Sequence, residues 1–134
     1  MKKTALITGA AGGIGKEFSR IHASKGGNIV AVDLNTEGIE LLKGELELKY
    51  GTNVYTITKN LTNINASKEI YDELKEQGIH VDYLINNAGF GGIGNFHERP
   101  WEKDLAMIQV DVIALTGLIK FFLPDFIKRN DPII

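Results

Sequence analysis

The chain has 134 residues, 43% of them apolar and 24% charged, with a net charge of −2 and no cysteine. This is the balance of one soluble globular domain, long enough to bury roughly two-thirds of the surface its unfolded chain exposes. The slight acidity creates no field to attract nucleic acid or an anionic membrane, and the lack of thiols excludes disulfides and thiolate metal sites.

Met1-Lys2-Lys3 opens the chain and passes into an apolar run too short for a signal peptide, so a cytoplasmic protein is expected. Short β-branched runs then alternate with helical periods, the pattern of βαβ units around a parallel sheet. A first strand over about Thr4–Thr8 leads through a glycine-rich turn into a helix. Its Ile14, Phe18 and Ile21, spaced i, i+4, i+7, form the predicted buried face, and Gly26-Gly27 stops it. The second strand is Asn28–Asp33. A helix from about Thr36 to Tyr50 follows, with Ile39, Leu42 and Leu46 inward and Gly51 at its end. The third strand is Asn53–Thr58, the next helix runs from about Asn65 to Gln77 with Gly78 as its stop, and the fourth strand is Val81–Ile85.

Asn86-Asn87-Ala88-Gly89 comes next, then a glycine-rich loop, Phe90–Glu98, that Phe96 and Trp101 are expected to cover. Pro100 suits the first turn of a helix. A long helix over about Leu105–Lys128 carries Ile108, Val112, Leu115 and Ile119 on one side and Ile113, Leu118 and Phe121 on others, which calls for cover on two sides. Asp111, Lys120 and Asp125 interrupt the apolar run and leave it short of a membrane span. Pro124 is expected to kink or end the helix. Asp131-Pro132-Ile133-Ile134 reads as the opening of a fifth strand. With no repeat, linker or low-complexity tract, residues 1–134 read as a single domain.

The chemistry concentrates in Thr8-Gly9-Ala10-Ala11-Gly12-Gly13-Ile14-Gly15. A strand, a glycine turn and a helix in that order present unpaired backbone N–H groups and a positive dipole end to a phosphate. Gly9 permits the tight turn, Gly13 lets a pyrophosphate approach the backbone, and Gly15 lets the helix lie close on the strand. The second strand ends in Asp33, at about the 20-residue distance expected of a ribose-binding carboxylate.

Thr8-Gly9-x-x-x-Gly13-x-Gly15 together with Asn86-Asn87-Ala88-Gly89 resembles the short-chain dehydrogenase/reductase family, and the interval between the two motifs is the one that family keeps. The resemblance covers essentially the whole chain and corresponds to the N-terminal half of the family's fold, cut at the start of strand five. It implies an α/β, doubly wound, Rossmann-like parallel sheet in order 3-2-1-4, with the cofactor across the C-terminal edge where strand order reverses. On that resemblance Gly9, Gly13, Ile14 and Gly15 line the pyrophosphate. Asp33, with Leu34 beside it, bonds both adenosine ribose hydroxyls and repels a 2′-phosphate, favouring NAD over NADP. No basic residue stands just before Gly13, which agrees, although Lys16 lies close enough to blunt the argument. Asn60-Leu61 replaces the family's Asp-hydrophobic pair at the adenine; the amide still accepts a hydrogen bond and can also donate one. Asn87-Ala88-Gly89 passes beside the nicotinamide ribose and helps fix strand four.

The family's reaction is hydride transfer between a nicotinamide and a carbonyl or alcohol. It uses a tyrosine acid/base tuned by a lysine four residues on, a serine after strand five and an asparagine in the long helix. This chain has no tyrosine after Tyr83 and no serine after Ser67, and the asparagine position falls on Asp111. Tyr71-x-x-x-Lys75 has the right spacing on the wrong helix and reads as an i, i+4 surface pair. His22, His80 and His97 stand apart, so no metal site is expected, and His97-Glu98 reads as ordinary loop. The expectation is therefore a nicotinamide dinucleotide-binding portion of an oxidoreductase, inactive alone and homodimeric through the helix 105–128. The alternatives are a non-catalytic dinucleotide-binding or structural, dimerising module, and a doubly wound methyltransferase, against which Asn86-Asn87-Ala88-Gly89 argues.

Overall fold

A computed structural model describes residues 2–130. Four parallel strands form one sheet in the order β3-β2-β1-β4. They are β1 (Thr4–Thr8), β2 (Asn28–Asp33), β3 (Val54–Thr58) and β4 (Tyr83–Ile85). β1 is buried along its whole length, with Leu6 opposite Val30 on one side and Leu84 on the other. An inner parallel strand has both faces covered, which is why β1 and β2 read as unbroken apolar runs. The strand, helix and order expectations hold for these elements, with β3 and β4 shorter at their starts than the sequence suggested.

Helices cover both faces. α1 (Gly13–Ser24) and α2 (Thr36–Tyr50) pack on one, over Ala5, Ile7, Ile29 and Ala31; α3 (Ala66–Glu76) and α5 (Leu115–Arg129) pack on the other, over Leu6, Val30, Val32 and Leu84. α2 turns Ile39, Leu42 and Leu46 inward as expected. Its N-cap, Asn35, accepts a hydrogen bond from Gly38 N–H at 3.0 Å, and Gly51 closes it in the left-handed region.

α1 departs from its pattern. Ile14, Phe18 and Ile21 are exposed, and Gly15, Ser19 and Ala23 are the buried residues. One residue along a helix is a rotation of about 100°, so the apolar stripe is turned away from the sheet by one position. Close approach decides this. A Cβ on Gly15 would collide with the Gly9 carbonyl oxygen, so only the small-residue stripe can face the strand. Ser19 satisfies its hydroxyl on Gly15 C=O at 2.9 Å.

The last helical stretch also differs from expectation. It begins at Trp101, with Pro100 preceding it in extended backbone, and it runs as α4 (Trp101–Ile108), a π-helical turn (Gln109–Ala114) and α5. The buried apolar residues are Val110, Ala114, Leu118, Phe122 and Phe126, whereas Ile108, Val112 and Ile113 are exposed. In a regular helix a strict four-residue spacing drifts round the axis, and the wider π turn offsets part of that drift. α5 continues through Pro124 to Arg129 and is capped by Asn130 at φ 55°. Pro124 lies on the exposed side, where the carbonyl it leaves unbonded meets water. Against the expectation, the stretch Trp101–Arg129 is long and apolar enough to cross a membrane, with mean hydropathy 1.8, because no more than two charges fall within its most apolar 18 residues. Its buried stripe packs in the core of this domain. Phe96 and Trp101 are exposed rather than folded over the loop. The anticipated fifth strand, 131–134, lies outside the described residues.

Candidate functional site

Two motifs meet at the C-terminal edge of the sheet, beside the point where the chain's crossovers change direction between β1 and β4. Thr8 ends β1 and its Oγ1 accepts hydrogen bonds from Asn87 N–H at 3.0 Å and Ala88 N–H at 2.9 Å. Asn87 returns the tie, its side-chain amide donating to Thr8 C=O at 3.1 Å and Gly9 C=O at 3.3 Å. Four hydrogen bonds thus hold the segment after β4 against the glycine turn after β1. The role of Thr8 was not read from the sequence; a hydroxyl immediately before the turn glycine is the signal that could have suggested it.

The turn itself is built around two glycines. Gly9 sits at φ +65° and Gly15 packs on its carbonyl. Gly13 opens α1, and a Cβ there would meet nothing within 4 Å, so the space in front of it is clear. No side chain caps this helix end, and among the described residues the first-turn amides of Gly13, Ile14 and Gly15 have no acceptor. Free N–H groups, a helix dipole and clear space together suit an anion.

Asp33, half-buried at the end of β2, faces this turn. Its Oδ2 accepts from Ala11 N–H at 2.9 Å and its Oδ1 from Asn35 N–H at 2.9 Å. Each oxygen keeps a lone-pair direction for a further donor. Leu34 beside it is exposed. Past β3, Asn60 Oδ1 accepts from Thr62 N–H at 3.0 Å and from the Thr62 hydroxyl at 2.7 Å, leaving its NH2 as the group facing outward chemistry. Leu61 is in the core. On the far side of β4, a Cβ on Gly89 would lie 3.0 Å from Asp111 Oδ1, and that oxygen accepts Phe90 N–H at 3.1 Å. The structure therefore gathers Gly9, Gly13, Ile14, Gly15 and Asp33 at one end of the edge and Asn87, Ala88, Gly89 and Asp111 at the other, with Asn60 and Leu61 past β3.

Tyr71 and Lys75 lie elsewhere. Tyr71 Oη donates to Asp125 Oδ2 at 2.9 Å and Lys75 Nζ reaches the same carboxylate at 2.9 Å. The pair is thus a clamp between α3 and α5 rather than a free surface pair. Burial, and then the Asp125 carboxylate, push the Tyr71 phenol above its ordinary range, the opposite of what a tyrosine acid/base needs. The hydrogen bond to Asp125 raises Lys75. Burial opposes charge on Asp125, but the bonds from Lys75 and Tyr71 outweigh it and hold the carboxyl below its usual range. Among the described residues no three His, Cys, Asp or Glu side chains cluster to hold a metal. A groove of about 1250 Å³ runs along β4 past Phe18, Ile21, Leu115 and Ile119, away from the glycine turn.

The model of the short chain dehydrogenase family matches residues 3–134. The chain belongs to the short-chain dehydrogenase/reductase family. It is 33% identical over 129 residues to oxidoreductase UcpA of Salmonella typhimurium, covering 96% of this chain and 48% of that protein. It is 31% identical over 136 residues to the 3-oxoacyl-[acyl-carrier-protein] reductase FabG of Thermotoga maritima, covering 98% of this chain and 54% of that one. Among solved structures, a short-chain dehydrogenase from Sphingobium yanoikuyae in complex with NADPH superposes with TM-score 0.89 at 29% identity, over 96% of this chain and 50% of that one. The bulky-bulky ketone specific alcohol dehydrogenase of Comamonas testosteroni gives TM-score 0.89 at 28% identity, over 96% and 51%. The chain thus spans about half the length of the relatives it matches. The sheet order 3-2-1-4 and the Rossmann-like architecture of the short-chain dehydrogenases are those expected from the sequence.

Proposed function

We propose that residues 1–134 act as a single dinucleotide-binding domain of a short-chain dehydrogenase/reductase-type oxidoreductase, with a nicotinamide dinucleotide across the C-terminal edge and NAD preferred over NADP. The observation that carries the reading is the lock between Thr8 and Asn87, which sets the glycine turn and the segment after β4 as two walls of one crevice. The uncapped first turn of α1 donates to the pyrophosphate in the clear space before Gly13, and Ile14 flanks it. Asp33 accepts from the adenosine ribose hydroxyls. Leu34 offers apolar surface to the adenine, and Asn60-Leu61 borders it with a free amide donor. Asn87, Ala88 and Gly89 support the nicotinamide ribose.

The class of cofactor draws support from the Sphingobium neighbour, which is complexed with NADPH. The narrower preference rests on this chain's Asp33, whose carboxylate repels a 2′-phosphate at the same hydroxyl. When bound, the nicotinamide supplies or accepts a hydride. In this reading Tyr71 and Lys75, engaged with Asp125, stay outside the chemistry, and the role of residues 1–134 is to bind and orient the dinucleotide. A non-catalytic binding or dimerising role is the second reading, favoured by the carboxylate of Asp111 where the family carries an asparagine amide. The homodimer belongs to this proposal as well. Ile108, Val112 and Ile113 are exposed on the helical stretch 105–128 and suit burial against a second copy.

Gly13→Asp tests the site. The fold accepts a side chain there because a Cβ meets nothing, while the added carboxylate occupies and repels the phosphate position. Titration with NADH followed by nucleotide fluorescence is expected to saturate for the wild-type chain and to show no binding for Gly13→Asp with unchanged circular dichroism. Equal binding by both would move the nucleotide away from this turn.

A further inference from the structure

Asp111 lies in the π-helical turn Gln109–Ala114, the kind of local widening that frequently sets a side chain at a functional site. Its position is fixed by the loop it meets. Oδ1 accepts the Phe90 N–H at 3.1 Å, and Gly89 packs so closely that a Cβ there would sit 3.0 Å from the same oxygen. The residue is half-buried, and among the described residues no lysine, arginine or histidine forms an ion pair with it. Arg99, the basic residue of the adjoining loop, is committed to Asp104 through bonds of 2.9 Å. A half-buried carboxylate held by one backbone N–H and lacking a cation is an unbalanced charge.

The crevice places that charge with respect to the ligand. Asp33 marks the adenosine end beyond β2, the glycine turn after β1 marks the pyrophosphate, and the remaining nucleoside falls on the β4 side, along Asn87–Gly89. Asp111 touches the Gly89 end of that segment. The oxidised nicotinamide ring carries a formal positive charge and the reduced ring carries none. Resting on the function proposed above, we infer that Asp111 supplies the counter-charge to the oxidised ring and makes the site discriminate NAD+ from NADH. An amide at this position accepts the same Phe90 N–H but provides no charge, so only the carboxylate gives the bias.

The test compares the affinities of the purified chain for NAD+ and NADH, measured by calorimetry, in the wild type and in Asp111→Asn. The isosteric amide keeps an oxygen for Phe90 N–H, so the loop tie and the fold are retained. The preference for NAD+ relative to NADH is expected to fall by about tenfold, the scale of one partly buried charge pair, chiefly through weaker NAD+ binding. Asp111→Ala removes the tie as well. It is expected to shift the ratio in the same direction while lowering affinity for both forms. In the wild type, raising salt is expected to narrow the ratio through screening, a measurement that needs no variant. A purely structural role would lower both affinities together and leave the ratio unmoved. An unchanged ratio in Asp111→Asn, with both forms still bound, overturns this inference alone. Absence of binding of either nucleotide by the wild-type chain overturns the functional reading and this inference with it.

Discussion

Thr8 shows how one side chain can assemble a site from two distant stretches of sequence. Its hydroxyl oxygen takes two backbone N–H groups from the segment after β4; without it Ala88 N–H loses its acceptor in a part-buried setting, and Asn87 N–H keeps only the Ile85 carbonyl at 3.0 Å. Thr8→Val keeps the shape and removes the acceptor. It is expected to destabilise the fold by about 1–3 kcal/mol, read from the denaturant midpoint, and to weaken NADH binding because the crevice walls are no longer fixed. Gly15 sets the opposite constraint, one of exclusion. A Cβ there strikes the Gly9 carbonyl, so Gly15→Ala is expected to cost about 1–3 kcal/mol through forced backbone movement. Gly13→Ala, with open space around it, is expected to leave the unfolding midpoint nearly unchanged. Equal midpoints for the two alanine variants would remove the argument that close packing turns α1 onto its small-residue face.

The clamp between α3 and α5 carries the prediction for the elements. Tyr71 and Lys75 on one helix converge on Asp125 of the other, and Ser67 donates to Ala114 C=O at 2.8 Å a little further along. Asp125 is held below its ordinary 3.8. Its contribution is therefore complete above that value and is lost as pH falls through the lowered folded-state value. Lys75 is raised above 10.5 and Tyr71 above 10.0, so their contributions are complete below those values and fade as pH rises through the folded-state ones. Asp125→Asn is expected to lower stability by about 1 kcal/mol at neutral pH and to flatten the loss of stability below about pH 4. A wild-type acid limb identical to that of Asp125→Asn would contradict the clamp. Tyr71→Phe is expected to cost a similar amount while NADH affinity stays the same.

Sequence pattern located these elements because burial on both sheet faces leaves long apolar runs in β1 and β2, and α2 carries a clean 3.6-residue period. It misplaced the inward face of α1 because apolar spacing counts side-chain character and not the clearance that Gly15 demands. It missed the buried stripe from Val110 to Phe126 because a π turn shifts the period, and no residue type marks such a turn. The glycine turn, Asp33 and Asn87 were legible as motif residues; the tie from Thr8 and the contact between Gly89 and Asp111 depend on long-range approach that spacing does not encode.

At the scale of the molecule, β4 is the outermost strand on its side of the sheet among the described residues, with an apolar groove beside it and apolar side chains standing out from the helical stretch 105–128. Val112→Arg combined with Ile113→Glu is expected to convert a sedimenting dimer to a monomer at micromolar concentration without loss of circular dichroism. A wild-type chain that sediments as a monomer would place the dimer outside the account. The chain matches about half the length of its relatives, and the grip on the dinucleotide is the part proposed for it. The most direct measurement is a fluorescence titration of residues 1–134 with NADH and with NADPH, alongside Asp33→Ala. Saturable binding that is tighter for NADH, with the preference lost in Asp33→Ala, is the predicted result. No binding of either nucleotide at millimolar concentration by the folded chain would contradict it.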